Sequence, residues 1–234
     1  MKTLLCSAIL GLCLQPALAV ERFWMKHGEI AELFDKFQSI PPERRDRLEF
    51  RVKVLPMNKA PLDGISLRMH SGAGPTPIAV DADGVIAFPN APQLRQENPA
   101  IWIDSPQQVK VALGIDVRIM LPAGEALRYR DAMELVDRAG SGIRKHAGIW
   151  ALFMPKPEGL ELRFGGSAPA TVVAQLPGGE RRFTSNAQGL LMLPMDDELS
   201  SANPTLQMSR PPLEARPYFS KRMQLVPDGE MALK

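Results

Sequence analysis

The residues that could do chemistry in this chain each have a plainer structural role beside the chemical one. Asp81-Ala82-Asp83-Gly84 offers two carboxylates to a calcium ion. A calcium loop needs more acidic ligands and a differently placed glycine, whereas Asp and Gly are what a tight hairpin turn asks of its backbone. The three histidines, His27, His70 and His146, are widely spaced, so a zinc site would require the fold to gather them. They are expected as separate surface or half-buried groups. Ser141 and Ser167 lack the flanking pattern of a nucleophile elbow. Gly140-Ser141-Gly142 follows a helical pattern where a dinucleotide loop would follow a strand, and is expected to stop that helix. Asp196-Asp197-Glu198 could hold a cation or serve a glycosidase, but reads first as a solvated loop. The basic pairs Arg44-Arg45, Arg181-Arg182 and Lys221-Arg222 lack the interleaved aromatics of a single-strand binder. Of Trp24, Trp102 and Trp150, Trp102 stands out. It lies between Ile101 and Ile103 in a short strand pattern and so points to the face opposite theirs. On an outer face it would be the best surface anchor in the chain.

No catalytic residue, cofactor site or metal site is therefore expected. Composition agrees: the 28 basic and 26 acidic residues leave a net charge of +2, which points to no nucleic-acid partner. The 234 residues are 45% hydrophobic, enough for one large domain or two small ones. The first of these residues form an address label. Met1-Lys2 gives a positive start, Leu4 to Leu14 is mostly apolar, and Ala17-Leu18-Ala19 has the small residues of a leader-cleavage site. Cleavage is expected after Ala19, with the product in the periplasm. Lipidation at Cys13 is the rival, but Leu12 stands where such signals need a small residue. Cys6 and Cys13 both precede the cut, so the mature chain would carry no thiol and no disulfide. No later apolar run approaches the roughly 20 residues of a membrane helix.

The elements that position these groups come as a similar pattern twice. Residues 82–106 and 187–211 align without gaps at an offset of 105, with seven identities: Ala82/Ala187, Gly84/Gly189, Pro89/Pro194, Leu94/Leu199, Asn98/Asn203, Pro99/Pro204 and Pro106/Pro211. Apolar positions between them also coincide, which points to a duplication. In each copy a glycine turn leads to a short apolar strand, Val85–Phe88 or Leu190–Leu193, that ends at proline. Further strands are expected at 100–103 and 205–208, at Phe50/Val52/Val54, at Leu160/Leu162/Phe164, over 171–175, and along Val109 to Leu121 in strict alternation. After Pro211 the apolar parity slips by one residue. Helices are expected where Ile30, Leu33, Phe34 and Phe37, and again Tyr129, Ala132, Met133, Val136 and Ala139, keep helical spacing. The apolar run Gly148 to Met154 is expected to pack where the halves meet.

The fold class so read is mainly β with a few helices: two tandem small β-sandwich modules joined by a helical connector. The divisions are a signal peptide over 1–19, an N-terminal helical segment over 20–42, a β-module over 43–121, a connector over 122–156 and a second module over 157–234. The D-x-D-G turn with its apolar strand and proline resembles transthyretin-like and carboxypeptidase regulatory-like modules. The helix, the segment Gly-Ile-Trp-Ala-Leu-Phe-Met-Pro-Lys-Pro-Glu-Gly-Leu (148–160) and the Gly-x-apolar-x-x-Pro strand resemble an uncharacterised family of exported proteobacterial proteins. That resemblance implies a compartment and no mechanism. The function expected is a non-catalytic interaction or accessory module whose partner is a protein or another envelope component. A carbohydrate- or small-ligand-binding module and a hydrolase with a dispersed site are the alternatives.

Overall fold

The computed structural model describes residues 19–57, 61–106, 109–122, 127–146, 156–220, 223–225 and 231–233. The fold is mainly β, with several antiparallel sheets and five helices among the described residues. Residues 1–18 of the expected leader, Trp150, the Gly148–Met154 run, the Lys221-Arg222 pair and the side chain of His146 lie outside them. Among them, no helix is long and apolar enough to cross a membrane.

The chain opens with β1 (Ala19–Lys26), α1 (His27–Gln38), α2 (Pro42–Arg45) and β2 (Leu48–Pro56). The hairpin β3 (Ser66–Ser71) and β4 (Gly74–Ile78) follows, then α3 (Pro92–Glu97), β5 (Ala100–Pro106) and β6 (Val111–Ile119). The series continues with β7 (Leu127–Arg128), α4 (Tyr129–His146), β8 (Gly159–Arg163), β9 (Thr171–Leu176) and β10 (Gly179–Thr184). It closes with β11 (Leu190–Pro194), α5 (Asp197–Ala202), β12 (Thr205–Met208), β13 (Glu214–Tyr218), β14 (Met223–Leu225) and β15 (Met231–Leu233).

Strand orders correspond across the chain. One sheet runs β4-β3-β5-β1 and another β10-β9-β12-β7. The remaining two are β2-β6-β14-β15 and β11-β8-β13. Alternation decides which residues face inward. Val52 and Val54 of β2 join Leu67, Met69, Ile101 and Ile103 in one core, while Leu160 and Leu162 of β8 join Val172, Ala174 and Leu206 in the other. Helix α1 feeds both, Ile30 entering the first core and Phe37 the second.

Hydrogen bonds repeat as closely as the strand orders. Asp81 Oδ1 accepts from the N–H groups of Asp83 and Val85, at 2.9 and 2.8 Å. Asn186 Oδ1 accepts from Gln188 and Leu190, at 3.0 and 2.9 Å. Gly84 and Gly189 close these turns at φ +81° and +74°, a region glycine enters without steric cost. Each then accepts a bond from the neighbouring strand, Val54 N–H at Gly84 and Phe164 N–H at Gly189. Asn98 and Asn203 end α3 and α5 in the left-handed conformation, at φ 48° and 46°. Their side chains accept from the starts of the long helices, at Gly28 N–H and Arg130 N–H.

Helix α4 therefore holds in the second assembly the place that α1 holds in the first. His27 and Tyr129 are both fully buried, and their backbone N–H groups bond to Pro99 and Pro204. Their side chains do one job: His27 Nε2 donates to Pro89 O at 2.8 Å and Tyr129 Oη to Pro194 O at 2.7 Å. The parity slip after Pro211 has a plain cause. Gly114 lies eight positions after Pro106 and Glu214 only three after Pro211, and these two fill matching places opposite Lys53 and Arg163. An odd difference in a connection reverses which residues face inward.

Four local expectations change, the first being that His27, expected at the surface or half-buried, is fully buried. Gly140 does not stop its helix, which runs on to His146. A Cβ there would lie 2.8 Å from the Pro157 ring, so the glycine permits a close approach. Asp196-Asp197-Glu198 is not a loop: Asp196 is the N-cap of α5, accepting from Leu199 N–H at 3.0 Å, and the other two fill its first turn. The first copy's strand at Val85–Phe88 is reduced to two isolated bridges, Lys53 to Val85 and Ile86 to Val80.

Candidate functional site

Strand β5 alternates Ile101 and Ile103, both fully buried, with Trp102 and Asp104, which face away from the core. Trp102 is thus on the outer face of the β4-β3-β5-β1 sheet, half-buried between neighbours from two strands. Phe23 of β1 lies directly across from it, ring centroids 6.2 Å apart and nearly perpendicular. His70 of β3 stacks on its other side, with centroids 5.4 Å apart. A bulge between Phe23 and Met25 makes this possible: it lets Trp24 and Met25 both turn inward while Phe23 stays out, half exposed. Around the rings, His70 Nε2 lies 3.2 Å from Glu21 Oε1, and Arg68 pairs with Asp104 and with Glu21.

Matching positions in the second sheet carry no such ladder. Gln207 stands where Trp102 stands, Gln175 where His70 stands and Val173 where Arg68 stands. The first sheet carries the ladder, and the second, with the corresponding strand order, does not. The strand alternation singled out Trp102 without deciding which face it occupies, and the structure puts it on the outer one. Its partners were readable in the alternation of Ser66-Leu67-Arg68-Met69-His70-Ser71, which puts Arg68 and His70 on one face, but the bulge hides Phe23 from any strict period.

The other candidate groups are tied into structure. Asp81 is occupied by its own turn, while Asp83 takes a two-pronged contact from Arg163, at 3.0 and 2.6 Å. Both carboxylates of the calcium reading are thus engaged. Among the described residues, no group of three or more His, Cys, Asp and Glu is placed to hold a metal. His27 stacks on Phe88 inside the first half, and Ser141 Oγ bonds to the carbonyl of its own helix at Arg138. Arg181 pairs with Asp196 at 2.7 Å and lies over the Phe183 ring.

A second charged feature joins the halves. Arg51 and Lys53 of β2 point away from the core they help enclose. Arg51 bonds Asp116 of β6 and also Glu214 of β13 in the other half. Lys53 reaches Asp116 at 3.3 Å, and Arg163 of β8 reaches Glu214 at 3.1 Å as well as Asp83. Beside it, Arg216 Nε donates to Glu161 at 2.6 Å. Four cations face four anions, so the cluster is neutral overall. Burial would raise the Asp116 carboxyl, but the charges of Lys53 and Arg51 outweigh it and hold the group below its ordinary value. The Arg163 hydrogen bond does the same for Asp83.

Comparison with family models, with curated proteins and with solved structures finds no match.

Proposed function

We propose that this chain is an exported, non-catalytic binding module built by tandem duplication of one small β-sandwich, and that the ring ladder of its first half is its binding surface. The carrying observation is the outward Phe23–Trp102–His70 ladder set against Gln207 and Gln175 at the matching places. A duplicated fold supplies its own comparison: what only one copy carries is what stability did not demand. Exposed Phe and half-buried Trp rimmed by ion pairs have the anatomy of a protein-binding patch, with an apolar centre and a polar rim. A sugar platform wants a bare indole face, and here His70 stacks on that ring with Phe23 on the opposite side. The partner proposed is therefore a protein of the cell envelope. The structural tasks of His27, Ser141, Asp81 and Asp196 support the non-catalytic reading.

The test compares the mature protein with Phe23→Ser and Trp102→Ser in affinity capture from envelope extracts. A protein retained by the parent and lost from both variants, at unchanged melting temperature, is the expected result. Identical captured sets would remove the ladder from the reading.

A further inference from the structure

The proposed cleavage site falls inside the fold. Ala19 is the first residue of β1 and lies across from Pro106, and Val20 lies across from Ser105. We infer that the Ala19–Val20 bond is hydrolysed only before β1 docks on β5, so that leader removal precedes closure of the first sheet. This rests on the export reading above and adds an order of events to it.

The chemistry is ordinary amide hydrolysis. Water supplies a hydroxyl to the Ala19 carbonyl carbon, the C–N bond breaks, and Val20 leaves as the new α-ammonium. A peptidase needs the residues on both sides of that bond extended in its own cleft. On the downstream side these are Val20, Glu21 and Arg22, all in register with β5. Arg22 also reaches across to the carbonyl of Val109. Next come Phe23 against Trp102, and then Trp24 and Met25, both buried in the core. Freeing the scissile bond in the folded chain would peel this strand from its sheet, and cleavage of a native chain proceeds through such open states in proportion to their population. Cutting before folding meets none of these contacts. Once cut, the mature chain forfeits only the Ala19 pairing and keeps the rest of the β1 ladder.

The experiment uses the full 234-residue precursor and a purified signal peptidase. One portion is diluted from denaturant directly into peptidase. The other is refolded first, and protection of its β1 and β5 amides is checked by hydrogen exchange. Expected is release of a chain beginning at Val20 from the unfolded portion, with the refolded portion cut at least about a hundredfold more slowly. Equal rates would overturn the ordering while leaving the export reading intact. Refolded precursor whose β1 amides exchange freely would also overturn it. Cleavage of neither portion at Ala19–Val20 would remove the ordering together with the export reading on which it stands.

Discussion

At the scale of single residues, the turn glycines are the most exposed to test. Gly84 and Gly189 combine positive φ with a neighbour where a side chain would go. A Cβ on Gly84 would lie 2.7 Å from Val54 O, and one on Gly189 would come closer still to Phe164 O. Gly84→Val and Gly189→Val should each destabilise by about 2 kcal/mol or more, the second by more than the first, as read from denaturant midpoints. Tyr129 is a second case. Its hydroxyl donates to Pro194 O and accepts from Asp196 N–H, both at 2.7 Å. Tyr129→Phe would leave those two groups without their partner at a cost of about 1–3 kcal/mol. The residue scale was also where the sequence spoke least evenly. Gly84, Gly189 and Trp102 were legible because turns and strand alternation act locally. The pairing of Arg51 with Glu214, 163 residues away, depends on how the halves meet and has no local signature.

Among the elements, α4 gives the clearest test of what a glycine is for. In an exposed helix interior Gly→Ala stabilises by about 1 kcal/mol. Gly140→Ala should do the opposite, because the added methyl would press on the Pro157 ring at 2.8 Å. A raised melting temperature would show that the Pro157 ring gives way and that Gly140 behaves as an ordinary helix-interior glycine. Helices α1 and α4 also show why half of the correspondence stayed hidden in the sequence. At an offset of 102, Glu32, Leu33 and Asp35 recur as Glu134, Leu135 and Asp137. Both helices even keep the same i, i+4 ion pair, Glu32–Lys36 at 2.7 Å and Glu134–Arg138 at 3.2 Å. Beyond the helices the offset becomes 110 at β2/β8, 105 through β5/β12 and 100 at β6/β13. Connections of different length break a gapless alignment while leaving the strand order intact.

For the whole molecule, the cluster around Arg51 and Glu214 sets how the halves answer to acid. Asp116 and Asp83 are held below the ordinary aspartate value of 3.8 in the folded chain. A carboxylate depressed in this way contributes stability that is present in full above its unfolded pKa and fades as pH falls towards the folded one. Melting temperature should therefore hold from pH 7 to about 5 and drop below about 4. Asp116→Asn should blunt that drop, and a variant that kept the parent's acid profile would contradict the assignment. At neutral pH, Glu214→Gln removes the anion that Arg51 and Arg163 share, leaving Arg51 with Asp116 and Arg163 with Asp83, and should cost about 1–3 kcal/mol, measured by denaturant unfolding.

The same cluster shows how the two halves differ at matching places. Arg51–Asp116 on β2 and β6 occupies the places that Glu161–Arg216 occupies on β8 and β13, with every sign reversed. Where the first half has Gly114, tucked beneath Leu55, the second has Glu214, and it is this carboxylate that Arg51 grips. The halves thus meet as lock and key, where two identical halves would be two keys. A chain made of the first half twice would offer Arg51 a glycine. On the duplication reading, making the copies alike again would dissolve the joint between them.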